Sequence, residues 1–600
     1  MRILYILSII SLIFMFLKFK KVKQNQNIIL WILLSILLFL CFNSLSIFIL
    51  SIFHIKAYLF IRFIINLLSS IFIYYFLIRG KEKQSYFFES RDLIVLFVLL
   101  IFTIVIGYLR FGSNLSLNFE TTDPSVHYLN GKIFYDENTL TGNTDITNIY
   151  GSLKNQSSMF LSYTNLGTMM QLMDNIYSYT DLYKVFILFE LIIFFLSAYL
   201  FYFTIKENNK KEKILFPIIV SIIYMLGYPL NNLLFGFHYL GLGVLLTNLL
   251  ILLVTMFYKE DINKTTFKII ISMAALSIFF TYYLFIPVVY ASVGFYILYQ
   301  CFFEKKINFK TAILDIIYLL VIPFVIGMFY FFVLPKILGI ETIDTGNALS
   351  TEGYIYRNLA GNFIFFAPII LYEIIDFIKS KKIKIELICF IVTGLCILLF
   401  FALVLKNVAS TYYFYKFYYL IALFIFLIIG KNLNDKERSL FSISAIIIYG
   451  IIVLIMNFDI EDRINKRNNL LNPTFFSKDL TDVYSFNKLM MDDRTPILDQ
   501  GDIEIIDYIN NHKDLVNDKG EILVVGDLFE KLWMYSIIEV NPNYEYKKLG
   551  DFYLENLTKE EIKEKNIDKF IIFNNNEKYE FSEEYEIIFE NSSGTIYKKK

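Results

Sequence analysis

The chain has 600 residues, of which 56% are hydrophobic and only 18% are charged. This balance excludes an ordinary soluble protein and indicates a polytopic α-helical membrane protein. Basic and acidic residues are equal in number, 55 of each, so the net charge gives no indication of a nucleic-acid partner.

Fourteen apolar runs are long enough to cross about 30 Å of hydrocarbon. They are predicted at residues 3–17, 28–50, 57–78, 92–109, 181–205, 214–230, 235–257, 267–283, 285–303, 311–334, 361–378, 385–405, 417–430 and 438–457. The first run is followed by "KFKKVKQNQN" instead of a small-residue cleavage site, which predicts a retained helix and not a signal peptide. The four cysteines lie in apolar runs without a CxxC spacing, so they indicate neither a disulfide framework nor a metal site.

Basic segments occur in every second loop, which predicts the orientation of the spans. These segments are "KFKKVK", "RGKEK", "KENNKKEK", "KEDINK", "EKK" with Lys310, "KSKKIK" and "KNLNDKER". The positive-inside rule places them in the cytoplasm. It therefore predicts that four segments are extracytoplasmic: the loops 110–180, 335–360 and 406–416, and the tail after about residue 458.

The tail has the charge and the periodicity of a soluble domain. "GDIEIIDYINNH" and "LFEKLWMYSII" predict helices, "EILVVGD" and "KFIIFN" predict strands, and "YEIIFENSSGTIYKKK" predicts a hairpin that turns at Ser-Gly. Strands that alternate with helices favour a small α/β domain. The sequence therefore predicts N-terminal spans in 1–91, a transmembrane core in 92–457 and a soluble α/β domain in 458–600.

The segment "ETTDPSVHYLNGKIF" places acidic groups and a histidine directly after the fourth span. Asp123 followed by Pro124 predicts a helix start, with aspartate as N-cap and proline at the first position. His127 then lies one turn beyond Asp123, Glu120 lies one turn before it, and the apolar residues of the helix predict that it lies flat at the membrane interface. The alternative is purely structural: Asp123 caps the helix, Glu120 supports its dipole and His127 is solvated.

Other segments on the same predicted side concentrate polar groups among aromatic residues. They are "LNNLLFGFHYLGLG" with His238, "TYYLFIP", the loop 335–362 with Arg357, and "LKNVASTYYFYKFYYL" with Lys406, Tyr412, Tyr413 and Lys416. Lys406 and Lys416 lie on this side, where the positive-inside rule predicts few cations. Each therefore requires an anion nearby or a route for its side chain to the membrane surface. Tyrosines beside a lysine suit a lipid-linked phosphate, although they are also typical of an ordinary aromatic belt.

In its early acidic "ETTD…H" loop, its "STYYFYK" turn, its many later spans and its α/β tail, the chain resembles the GT-C superfamily of integral membrane glycosyltransferases. The likeness covers most of residues 92–600. The superfamily includes protein mannosyltransferases, lipid A aminoarabinose transferases and oligosaccharyltransferases. The resemblance implies an enzyme that moves a sugar from a polyprenyl-phosphate donor to a cell-envelope glycan, lipid or protein on the extracytoplasmic face.

The resemblance also implies roles for individual residues. Asp123 would act as general base or help to hold a divalent cation such as Mg²⁺ or Mn²⁺, with Glu120 as the second acid and His127 positioning the acceptor. Lys416, with Lys406 or Arg357 as alternatives, would neutralise the donor phosphate. The binding residues would be completed by Tyr412, Tyr413 and His238.

Three other interpretations of the sequence stay open at this stage. A transporter or lipid flippase would also have about fourteen spans, but it should carry charges near the middle of the membrane. A polymerase of envelope polysaccharides also combines many spans with a large loop. A scaffold or receptor without enzymatic activity is the third.

Overall fold

The structure is a computed structural model. It describes residues 1–18, 26–78, 86–139, 147–148, 151–152, 160–206, 215–259, 264–337, 363, 366–432, 440, 442–448, 483–512, 522–538, 569–573 and 584–600.

The chain is a polytopic bundle of apolar helices. Within the described ranges, ten helical stretches are long and apolar enough to cross a membrane. The helices of the bundle are α1 (Arg2–Leu17), α2 (Ile28–Ile52), α3 (Leu59–Phe72), α4 (Ser90–Phe111), α5 (Asp123–Glu137), α6 (Phe160–Met173), α7 (Leu182–Lys206), α8 (Leu215–Leu226), α9 (Tyr228–Phe235), α10 (His238–Lys259), α11 (Lys264–Phe279), α12 (Ile286–Phe302), α13 (Phe309–Ile316), α14 (Ile322–Met328), α15 (Leu334–Ile337), α16 (Ala367–Ser380), α17 (Ile385–Leu405), α18 (Thr411–Lys416) and α19 (Tyr418–Asn432).

Thirteen of the predicted apolar runs coincide with these helices, and the fourteenth, 438–457, lies mostly outside the described residues. The run 214–230 lies within one candidate membrane span, Leu215–Phe235, in which Gly227 separates α8 from α9. Pro229 stands in the first turn of α9, where its missing N–H leaves no intrahelical hydrogen bond unmade.

The two ends of the bundle differ in what they contact. At one end, which we call the tail end, Arg110 of α4 donates to the backbone oxygens of Met490 and Asp493 in the C-terminal tail. At the other, the basic end, Lys206 of α7 pairs with Glu89 and Asp92 at the start of α4.

The described residues of the tail contain the predicted helices and strands and one helix, Val483–Asp492, that was not predicted. The elements of the tail are the helices α20 (Val483–Asp492), α21 (Gln500–Asn511) and α22 (Leu528–Ile537) and the strands Ile522–Val525, Lys569–Phe573, Tyr585–Glu590 and Gly594–Lys599. The first two strands pair in parallel and the last two form the antiparallel hairpin at Ser-Gly. Aspartates at the starts of α21 and α22 form capping boxes with the acidic residue three positions later. The predicted boundary near residue 458 lies outside the described residues.

Candidate active site

Asp123 is the first residue of α5, and its N-cap is Thr122. The prediction that Asp123 is the N-cap was therefore wrong by one residue, and its side chain is free of a capping bond. Backbone contacts fix this start, because the Glu120 N–H donates to the oxygen of Leu234 (3.0 Å) and the Thr121 hydroxyl donates to that of Phe235 (2.9 Å). The helix start is thus attached to the end of α9.

A glycine allows this close approach. Gly236 ends α9 with a φ of +68°, and a Cβ there would lie 2.4 Å from Cγ of Pro124. A side chain at this position would meet both the strain of the left-handed conformation and the proline ring. The next residues begin α10, so His238 and Tyr239 are placed directly beside the start of α5.

Most of the helix α5 from Pro124 to Phe134 is buried by other parts of the protein. That it lies flat at the membrane interface stays a prediction. Gly131 of α5 and Gly167 of α6 meet face to face, and a Cβ on Gly167 would lie 2.5 Å from the Gly131 oxygen. The sequence gave no signal for α6, whose residues are too polar for a predicted span. It contributes Tyr163 to the site.

His127 lies at the centre of a group of rings. Its Nδ1 is 3.0 Å from the Tyr163 hydroxyl, and its ring centroid is 5.3 Å from that of His238 and 4.7 Å from that of Tyr239. Burial, with the nearby His238 and Lys416, holds the pKa of His127 well below its usual value. The imidazole is therefore neutral at physiological pH, and its Nε2 has no hydrogen-bond partner among the described residues.

Lys416 is buried in an aromatic cage at the tail end. Its Nζ donates to the Tyr239 hydroxyl at 2.7 Å and lies 4.0 Å from the ring centroid of Tyr412. The rings of Tyr282 and Tyr413 stand at 5.3 and 5.9 Å. The cation is thus stabilised by the faces of tyrosine rings, and no carboxylate of the described chain lies within 4.0 Å of it.

Asp123 faces the same cage. Its carboxylate forms no salt bridge or hydrogen bond with any residue that the structure describes. Burial raises the pKa of Asp123, and attraction to the Lys416 ammonium opposes part of that increase. Its charge also acts on Tyr163 and Tyr239. The site therefore holds a carboxylate, that of Asp123, and an ammonium group, that of Lys416, which attract each other without forming a direct bond.

His238 extends the site toward a buried acid. Its Nδ1 lies 3.5 Å from Oε1 of Glu190, and neither imidazole nitrogen has a hydrogen-bond partner in the described part of the chain. Tyr239 and Tyr282 stand in polar aromatic segments of the sequence but were not predicted to belong to the site. Tyr163 and Glu190 were not predicted either, because they come into contact with the site only through packing of distant helices.

Two predicted site residues, Glu120 and Lys406, do not lie in this cage, and for a third, Arg357, the structure gives no position. Glu120 forms a buried ion pair with Arg110, with the guanidinium nitrogen 2.7 Å from Oε1. Lys406 is exposed at the end of α17. Arg357 lies outside the described residues. Asp123, His127, His238, Tyr412, Tyr413 and Lys416 are brought together.

The described residues around Asp123 do not form a donor set that fits a divalent cation. Glu120 is turned to Arg110, and a lysine and neutral aromatic groups surround the remaining acid. Among the described residues, no three histidine, cysteine, aspartate or glutamate side chains are grouped so that they could hold a metal ion. The chemistry below is therefore derived from the side chains alone.

No family model and no curated protein matches the sequence. Among solved structures, ArnT from Cupriavidus metallidurans bound to undecaprenyl phosphate is 9% identical, with a TM-score of 0.44, and the match covers 85% of this chain and 98% of ArnT. The archaeal oligosaccharyltransferase AglB from Archaeoglobus fulgidus, in complex with an inhibitory peptide and a dolichol-phosphate, is 11% identical, with a TM-score of 0.36 and coverages of 80% and 69%. TM-scores below 0.5 do not establish a common fold, so the function has to be argued from the site itself.

Proposed function

We propose that the protein is a GT-C type membrane glycosyltransferase that moves a sugar from a polyprenyl-phosphate donor to an envelope glycan, lipid or protein. One observation carries the proposal. Asp123 is partly buried and Lys416 is buried, and the two share a tyrosine-lined site at one end of a membrane-length bundle without a salt bridge or hydrogen bond between them. Buried ionisable groups held in this way are typical of catalytic sites, since their burial costs stability.

The two groups suit the two charges that an inverting transfer generates. The Asp123 carboxylate accepts the proton of the acceptor hydroxyl while the hydroxyl oxygen attacks the anomeric carbon. The bond between that carbon and the phosphate oxygen breaks, and the electron pair leaves with the phosphate. Lys416 stabilises the resulting anion. The products are the glycosylated acceptor and the free polyprenyl phosphate.

Neighbouring residues position these two groups. His127 is neutral and so orients the acceptor by hydrogen bonding, while Tyr163 fixes its ring. Tyr239 and Tyr412 hold the ammonium of Lys416. Glu120, through its ion pair with Arg110, keeps the start of α5 attached to the tail instead of acting as a second base.

The test is transfer from a panel of polyprenyl-phosphate donors with radiolabelled sugars to envelope extracts, using the full-length protein in nanodiscs. We expect the wild type to transfer one of these sugars and Asp123→Asn to be slower by about a hundredfold or more, the scale of a lost general base. The matched control is Asp136→Asn, which neutralises an exposed acid at the other end of α5.

Thermal unfolding should be similar for both variants and the wild type, because Asp123 forms no bond that asparagine would break. Wild-type turnover in Asp123→Asn, or no transfer from any donor by the wild type, would contradict the proposal.

A further inference from the structure

Glu190 is a buried acid beside the candidate active site that the reaction described above does not use. It lies on α7 and is 2% exposed. Its Oε1 is 3.5 Å from Nδ1 of His238, the first residue of α10, and no lysine or arginine of the described chain lies within 4.0 Å of it. A carboxyl group is costly to bury in a membrane-length bundle, so its presence there indicates a function.

Close packing of three helices brings Glu190 to His238. Gly241 lies about one turn along α10, and a Cβ at this position would lie 2.7 Å from Nδ2 of Asn232 on α9 and 3.2 Å from Cγ2 of Ile193 on α7. A side chain there would have to displace one of these neighbours. Glycine at position 241 therefore lets the start of α10 approach the part of α7 that carries Glu190.

Glu190 lines a cavity that is too small for a substrate. Asn232 and Gly241 also line this cavity, whose volume is about 20 Å³. That is room for about one water molecule and not for a sugar ring. Glu190 therefore does not contact a substrate through this cavity, and any effect that it has on the active site passes through His238.

His238 stands at the wall of the candidate active site. Its ring centroid lies 5.3 Å from that of His127 and 6.1 Å from that of Tyr163. The side chain is fully buried, and both imidazole nitrogens are without a hydrogen-bond partner among the described residues. Glu190 approaches Nδ1. Because the two nitrogens lie on different sides of the ring, Nε2 is left for another partner.

The protons shared by Glu190 and His238 determine what Nε2 can bind. The backbone N–H of His238 interacts with the carboxyl group, while Oε1 has no partner, so a carboxyl proton is favoured on Oε1. That proton is donated to Nδ1, which leaves the imidazole proton on Nε2. If the carboxyl proton moves to Nδ1, the pair is still neutral overall and Nε2 still carries its proton. In both cases Nε2 is a hydrogen-bond donor.

A purely structural role for Glu190 is the alternative. A carboxyl group beside the first residue of α10 would stabilise the helix through its dipole. This explains the position of the acid but not the two unpartnered nitrogens of His238, since buried polar atoms are normally hydrogen-bonded. Only the first interpretation depends on which nitrogen of His238 carries the proton.

We propose that Glu190 is a positioning residue that keeps Nε2 of His238 protonated, so that this nitrogen donates a hydrogen bond to a hydroxyl oxygen of the substrate. The inference rests on the proposed function, because sugars and their acceptors are the substrates that carry such hydroxyl groups. Without Glu190, the carbonyl group of Gly236, which also interacts with the imidazole, would favour the proton on Nδ1 and turn Nε2 into an acceptor.

The first test observes His238 directly and needs no activity. The chain contains only four histidines, so isotope-labelled histidine in the full-length protein in nanodiscs gives few NMR signals, and the nitrogen shifts show which nitrogen is protonated. His238→Leu assigns the signal. We expect protonated Nε2 in the wild type and in Glu190→Gln, whose amide N–H can donate to Nδ1. In Glu190→Leu, part or all of the His238 population should carry its proton on Nδ1 instead.

The second test measures sugar transfer from the donor panel. Loss of one hydrogen bond to a substrate hydroxyl should raise the KM of donor or acceptor about tenfold in Glu190→Leu and change kcat less, because that hydroxyl is bound alike before and during the reaction. Glu190→Gln should stay close to wild type. In a His238→Leu background, the change Glu190→Leu should have no further effect on KM. The matched control is Ser197→Ala in the same cavity, which should behave as the wild type.

Thermal unfolding identifies variants that do not fold, and the NMR comparison of wild type with Glu190→Gln remains if Glu190→Leu is one of them. Unprotonated Nε2 in the wild type, or the same protonation of His238 in the wild type and a folded Glu190→Leu, would overturn the inference. A changed protonation with a wild-type KM would overturn it too, since Nε2 would then not meet the substrate. If the wild type transfers no sugar, the proposed function fails, whereas the NMR result still decides whether Glu190 controls His238.

Discussion

At the scale of single residues, the site is defined by groups that are buried without the usual compensation. An ion pair within bonding distance would neutralise Asp123 and Lys416, yet the structure keeps them apart and surrounds the lysine with tyrosine rings. Part of the desolvation cost of each group is therefore uncompensated, which is typical of sites that bind a charged substrate. The residue types were predictable from sequence, but their separation was not.

The pKa of Asp123 leads to a prediction about pH. A general base works only when it is deprotonated, so kcat/KM should fall as pH decreases through the pKa of this carboxyl. Because burial raises that pKa, the acidic limb should lie above pH ~4, the usual value for aspartate. The pH profile of sugar transfer checks this, with the residual activity of Asp123→Asn as the control that should lack the limb. A wild-type profile that stays flat down to pH ~4 would remove Asp123 as the base.

Lys416 should determine donor affinity. Lys416→Met keeps much of the packing of the side chain and should weaken donor binding by about 1.5–3 kcal/mol, the range for a charge-assisted hydrogen bond. Lys416→Arg should retain only part of the donor affinity, because the planar guanidinium differs in shape from the compact ammonium of lysine. Donor titration at fixed acceptor measures both, and Lys406→Met is the exposed control. Unchanged donor affinity in Lys416→Met would remove Lys416 from the donor site.

At the scale of elements, α5 carries two residues of the site, Asp123 and His127, and contacts other parts of the protein on two sides. Gly131 packs on α6, and Lys132 contacts the tail. Periodicity and the Asp-Pro pair predicted that a helix starts here, and that prediction is confirmed to within one residue. The partner helix α6 was not predictable, because its residues carry neither the apolar length of a span nor a strong amphipathic pattern.

Lys132 caps the last turn of α22 with its ammonium. Its Nζ donates to the backbone oxygens of Ser536, Ile537 and Ile538 at 2.7–3.1 Å. Lys132→Met leaves these carbonyls buried without a donor, so the free energy of unfolding should fall by about 1–3 kcal/mol. Amide exchange should speed up in both α5 and α22, and sugar transfer should slow because Asp123 and His127 lie on the same helix.

The control for Lys132 is an ion pair at the end of the same helix. Lys56 pairs with Glu137 at the exposed end of α5, and a surface ion pair contributes about 0–1 kcal/mol. Lys56→Met should therefore leave exchange and transfer close to wild type. If Lys132→Met behaves like this control, the tail does not support the site.

At the scale of the whole molecule, local patterns predicted the spans and the order of the tail elements, since each depends on residues close in sequence. Local patterns could not predict the assembled site, because its residues come from five separate segments: α5, α6, α10, α18 and the Tyr282 turn. Their proximity depends on packing of helices far apart in the chain. The prediction of domain limits at 91 and 457 stays a prediction.

The orientation of the bundle gives the last prediction. The alternating basic loops predict that the tail end is extracytoplasmic, where a polyprenyl-linked sugar is the expected donor. In a background without native cysteines, Ser113→Cys after α4 and Ser592→Cys in the terminal hairpin should both react with an impermeant thiol reagent in intact cells. Ser380→Cys, exposed at the basic end, should react only after the cells are permeabilised, because helices of membrane length separate the two ends. Labelling of Ser380→Cys in intact cells, with protection of the other two, would place the candidate active site on the cytoplasmic face, where soluble nucleotide sugars could serve as donors and the proposed lipid-linked donor would lose its rationale.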